Sequence, residues 1–117
     1  MVETLDFSRL TEIFEDDREG IVDVLRACAT YVRAAVVDLE RLARAGDVEG
    51  VARAAHGIKG SCANVGALAC ERAASMVQSA ARDGTIRAEV VREFARLLAD
   101  LDAEIERYVA GGATSTR

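Results

Sequence analysis

The 117-residue chain has no proline, no tryptophan and a single histidine. Aromatic residues make up 4% of it, and one lysine stands among fifteen basic residues. Each scarcity excludes something. Without proline, nothing in the sequence breaks a helix from within. One histidine excludes metal sites that need two imidazoles from the same subunit. Cys28, Cys62 and Cys70 are an odd number at spacings that match no common zinc pattern, so they form no disulfide framework and suit a reducing cytoplasm. The first residues, Met1 to Asp6, lack the basic region and apolar run of a secretory signal. No apolar stretch approaches the roughly 18 residues that would span a membrane. The net charge of −5 speaks against nucleic acid, whose phosphates call for a basic surface.

What is present suits helices. Half of the residues are hydrophobic, and alanine, leucine and valine dominate them. This mix packs long helices through aliphatic side chains. The length fits one domain, 1–117, able to bury a core without staples. A short helix is predicted over 7–14, where Ser8 is a candidate cap and Leu10, Ile13 and Phe14 form an apolar side. Six carboxylates lie between Glu12 and Asp23 beside Arg18 alone; they read as a solvated helix start and loop.

Four longer helices come after it. Over 18–45, Ile21, Leu25, Cys28, Val32, Ala35, Leu39 and Leu42 recur at intervals of three and four. Gly46 ends that helix and Asp47 caps the next. Over 48–64 the stripe is Val51, Ala55, Ile58 and Cys62, continued by Val65, with a stop at Gly66. Over 68–82, Leu68, Ala69, Ala73, Met76, Val77 and Ala80 are assigned inward; Asp83-Gly84 turns and Thr85 caps the last helix. Over 86–109 the inner face is Ile86, Val90, Phe94, Leu97, Leu101, Ile105 and Tyr108. The segment 110–117 reads as a loose tail, leaving a core of about 7–109. The expected fold is all-α: an antiparallel up-down-up-down four-helix bundle with a short accessory N-terminal helix.

The lone His56 lies in the helix over 48–64. At about 100° per residue it points about 140° from Val51, away from the packing stripe. Gly60 falls about 40° beyond it and one turn on. Glycine inside a helix costs about 1 kcal/mol relative to alanine. Opposite the core, packing within the bundle is a poor reason for Gly60; clearance beside the imidazole is a better one. Lys59, the one lysine, is a helical neighbour of His56 and can offset negative charge gathered there. Gly57 lies at another angle and suits packing between helices. Ser61 and Asn64 receive no catalytic role.

The run Ala55-His56-Gly57-Ile58-Lys59-Gly60-Ser61-Cys62-Ala63-Asn64-Val65-Gly66-Ala67 resembles the motif of the histidine-containing phosphotransfer (HPt) domain of two-component phosphorelays. That motif reads Ala-His-x-hydrophobic-Lys-Gly-small-small-x-x-x-Gly-Ala. The Gly46-Asp47 step and the helix layout over 7–109 are similar too. Cys62 stands where serine or alanine is common, and glycine follows His56; neither change removes a chemical group.

The resemblance implies that His56 is phosphorylated on Nε2 by a receiver-domain aspartate or a histidine kinase and passes the group to a receiver aspartate. Lys59 would give electrostatic support and Gly60 steric clearance. The chain would bind no cofactor; Mg²⁺ would sit in the partner receiver. The expected partners are receiver domains and a hybrid histidine kinase, met by a cytoplasmic monomer without kinase activity of its own. Two alternatives differ. A helical module could bind and sequester a receiver without taking phosphate. A phosphorylatable domain of a chemotaxis-type histidine kinase shares the motif but would be followed by docking and ATP-binding regions, and the chain has no glycine-rich nucleotide motif. Met1 and the tail suit a self-contained product.

Overall fold

The computed structural model describes Leu10, Glu12, Phe14, Glu15 and residues 17–115. Among these residues the chain is all-α, in four helices: α1 (Arg18–Arg44), α2 (Val48–Asn64), α3 (Leu68–Arg82) and α4 (Ala88–Ser115). Leu10, Glu12 and Phe14 are also helical. The rest of the helix expected over 7–14, with Ser8 and Ile13, lies outside the described residues. No helix among the described residues is long and apolar enough to cross a membrane.

Local chemistry sets the helix ends. Asp17 accepts the N–H of Gly20 at 3.2 Å to start α1, and Asp47 accepts that of Gly50 at 2.9 Å to start α2. Three helices end alike. Gly46, Gly66 and Gly84 adopt φ of +71°, +73° and +86°, the left-handed conformation that glycine enters without penalty. In each case the next residue turns its N–H back onto the helix: Asp47 to Leu42, Ala67 to Cys62 and Thr85 to Ala80, at 3.0, 2.9 and 2.9 Å. This is the Schellman pattern, and it satisfies carbonyls that the helix end would otherwise leave open.

Thr85 therefore closes α3 and does not cap α4. The fourth helix starts at Ala88, two residues later than expected, and the carbonyl of Arg87 accepts its first backbone bond from Val91. At its other end α4 continues to Ser115, past a non-helical Gly111 (φ −135°, ψ 23°). The tail expected from 110 is thus helical over part of its length, beyond a kink at Gly111.

The helices pack in the cyclic order α1–α2–α3–α4, with α4 also on α1. Leu25, Leu39, Val51, Ile58, Phe94 and Leu101 are completely buried in the shared core. The stripe assigned to α2 is buried throughout, and that of α1 is buried or half-buried. Along α4 the buried face is Val91, Phe94, Leu98, Leu101 and Ile105, with Val90, Leu97 and Tyr108 half-buried beside it.

Helix α3 departs from its expected orientation. Its buried residues are Cys70, Ala74, Val77, Gln78 and Ala81, whereas Leu68 and Met76, assigned inward, are 40% and 61% exposed. The helix is turned by roughly 110° from the predicted stripe. The alanines of α3 span an arc of about 140°, wide enough to join either face. Close packing on α2 then selects the face of small residues, because these let two backbones approach. Among exposed contacts, Arg33 joins α1 to Asp102 and Glu106 of α4 at 2.8 and 2.6 Å. The guanidinium of Arg18 lies 5.0 Å from the Tyr108 ring centroid.

Candidate functional site

His56 stands on the middle of α2 and is exposed. The preceding Ala55 and the nearby Ile58 are completely buried, so packing fixes the rotation of the helix and turns the imidazole outward. Asp47 holds the first turn of this helix, and the Gly66 turn holds its end.

Gly60 is exposed, and a Cβ built on it would meet nothing within 4 Å. No described residue forbids a side chain there. The space beside His56 is open to solvent, as the helical wheel predicts. Lys59 is half-buried on the flank of the same helix and forms no ion pair among the described residues.

Gly57 has a different role. A Cβ there would lie 2.3 Å from the Tyr31 hydroxyl. The aromatic side chain from α1 thus rests on bare α2 backbone, so the residue after His56 does serve packing between helices. Cys28, Cys62 and Cys70 are all buried. The Cys28 thiol donates weakly to the Ser61 carbonyl at 3.9 Å, and Cys70 to that of Leu97 at 3.5 Å. Burial raises the Cys28 thiol above its ordinary value; a hydrogen bond to Cys70 and burial raise Cys62 far above it. Such thiols stay protonated and act as small hydrophobes. Among the described residues, no three His, Cys, Asp or Glu side chains gather into a candidate metal site.

The partner of His56 that sequence reasoning missed is Gln78. This side chain on α3 is only 6% exposed, and its Nε2 lies 3.2 Å from Nδ1 of His56. As placed, the amide N–H donates to Nδ1. Turned over, the amide would offer Oε1 to accept from Nδ1–H, with the same heavy-atom positions. Either way Nδ1 is engaged by a buried side chain, on a histidine that is otherwise exposed. A rotated α3 stripe was the signal for Gln78: drawn through Cys70, Ala74 and Ala81, it places Gln78 on the shoulder that faces α2.

An outward histidine, an open Gly60 and a half-buried Lys59, all on one helix of an antiparallel bundle, accompany a match of residues 9–110 to the family model for the Hpt domain. The chain belongs to the Hpt family. Searches of curated proteins and of solved structures return no match. Hpt domains are phosphotransfer carriers that relay phosphoryl groups to a receiver aspartate without kinase activity of their own, and they generally interact with receiver and hybrid kinase domains. The family anticipated from the run Ala55 to Ala67 is the family found.

Proposed function

We propose that this Hpt chain carries the phosphoryl group on Nε2 of His56, receiving it from a receiver aspartate or a histidine kinase and passing it to a receiver aspartate. The observation that carries the reading is the pairing of Nδ1 with the buried Gln78 on an otherwise exposed histidine. In the arrangement where Gln78 Oε1 accepts from Nδ1–H, Nε2 holds the free lone pair that attack requires. That lone pair attacks the phosphorus of an aspartyl phosphate. The P–O bond to the aspartate breaks, and the carboxylate leaves with its electrons. Return to a second aspartate reverses these steps.

Lys59 offsets charge on the phosphorylated ring, and Gly60 keeps the approach clear. The chain contributes no metal; the divalent cation, Mg²⁺, belongs to the partner's acidic site. A single domain over about 7–109, acting as a monomer in the cytoplasm, completes the reading.

The test incubates the purified chain with labelled phospho-receivers and Mg²⁺, alongside His56→Gln. Acid-labile, alkali-stable label is expected on the wild type and none on the variant. Equal labelling of the variant would overturn the assignment of His56. Tight receiver binding without labelling of a folded chain would establish a sequestering module instead.

A further inference from the structure

We propose that the cleft between the end of α1 and the start of α4 binds a small amphipathic carboxylate, with its head on Arg44 and Arg92 and its apolar body on Ala43, Ile86 and Val91. The inference stands apart from the transfer reading, since it uses none of the residues of the phosphohistidine site. The cleft has a volume of about 430 Å³, within the roughly 300–1,000 Å³ of small-molecule sites. At roughly 30 Å³ per heavy atom, the share of one water in the liquid, it has room for about fourteen such atoms.

The helix junctions build this cleft. Helix α1 stops at the Gly46 turn, whose left-handed φ of +71° sends the chain off into α2. Thr85 closes α3 on Ala80, and Ile86 and Arg87 then lead into α4 at Ala88. The last turn of α1 and the first turn of α4 therefore meet at one end of the bundle. Val91 is buried, Ala43 and Ile86 are half-buried, and together they form an apolar floor. The exposed Ala88 extends the wall without adding bulk.

The charges on the wall select the ligand. Arg44 and Arg92 come from different helices, are exposed, and form no ion pair among the described residues. Arginines one turn away on the same helices do: Arg41 pairs with Asp38, and Arg96 with Glu93. Arg44 suits the last turn of α1, where the helix dipole favours cations. Arg92 has no such reason, because it lies one turn into α4, toward the positive end of that helix. The half-buried Glu40 also lines the cleft. Two guanidiniums and one carboxylate leave a single positive charge there, which a monoanion balances and a phosphate dianion exceeds. A guanidinium presents paired N–H donors that match the two oxygens of a carboxylate. The apolar floor calls for an aliphatic or aromatic body behind that head.

The test titrates octanoate, acetate and 1-octanol into the isotope-labelled full chain and follows the backbone amides by NMR. Octanoate should give saturating shifts centred on Gly46, Ile86, Ala88 and Val91. Half-saturation should come at concentrations at least about tenfold below those needed with acetate, which lacks the body, or 1-octanol, which lacks the charge. Arg92→Ala should weaken octanoate binding about tenfold. Ala88→Glu should abolish it by placing a carboxylate on the wall. That variant should fold, since an acidic residue is favoured in the first turn of a helix, and its amide spectrum checks this directly. Equal binding of octanoate and 1-octanol would overturn the carboxylate assignment. Octanoate affinity unchanged in both Arg92→Ala and Ala88→Glu, or no saturating shifts at these amides in the wild type, would overturn the site.

Discussion

The two faces of α2 answer to different requirements. Its inner face, Val51, Ala55, Ile58 and Cys62, has no solvent exposure; a change there meets packed neighbours on every side. Its outer face carries an exposed His56 and a Gly60 whose missing side chain leaves open space. The inner face is under packing constraint, so its residues are apolar and volume-matched. The outer face is almost free of constraint from its own chain, so a glycine that weakens the helix calls for a reason outside the chain. The two faces should thus separate stability from transfer.

The largest expected effect lies inside. Ile58→Ala leaves a cavity in a completely buried site and should cost about 2–5 kcal/mol of unfolding free energy, measured by urea denaturation. Its transfer rate, assayed where the variant remains folded, should stay near wild type. Next comes Gly60→Leu on the outer face. It should slow transfer by more than about tenfold, equivalent to about 1.4 kcal/mol, yet raise stability by about 0.5–1 kcal/mol through helix propensity. A rate unchanged by leucine would remove steric clearance as the reason for the glycine.

Gln78→Ala probes a bond that ties the outer face to the interior. Loss of a net hydrogen bond of about 1 kcal/mol should slow transfer about fivefold, and the His56 ring resonances in NMR spectra should report a changed tautomer balance. An unaltered spectrum would show that Gln78 does not orient the ring. The smallest effect is that of Lys59→Ala, a surface electrostatic change of a few tenths of a kcal/mol. It should slow transfer about twofold, and the difference from wild type should shrink in high salt.

Much of this comparison is legible in the sequence. The boundaries of α2 and α3 coincide with the predicted spans, since Asp47, Gly66 and Gly84 act within a turn of where they stand. The α2 stripe is legible because Val51, Ile58 and Val65 are large and leave only one side for the core. The α3 stripe is not. Its large apolar residues Leu68 and Met76 lie on the exposed surface, and its alanines span an arc that reaches both the expected and the observed face. That ambiguity hid Gln78, whose contact with His56 spans 22 residues of sequence. Tyr31 was hidden for a related reason: from α1 alone it is an exposed aromatic, and only the approach of α2 reveals that Gly57 accommodates it.

The sequence by itself therefore determined the four helices, the Asp47 cap, the Gly46 and Gly66 stops, the family and the outward direction of His56. All of these derive from side-chain period and from signals within one turn of the backbone. The tertiary structure decided which way α3 turns, which nitrogen of His56 is held and what flanks the open side of the imidazole. These depend on how closely neighbouring helices approach and on which small residues meet between them, and no period within a single helix carries that information.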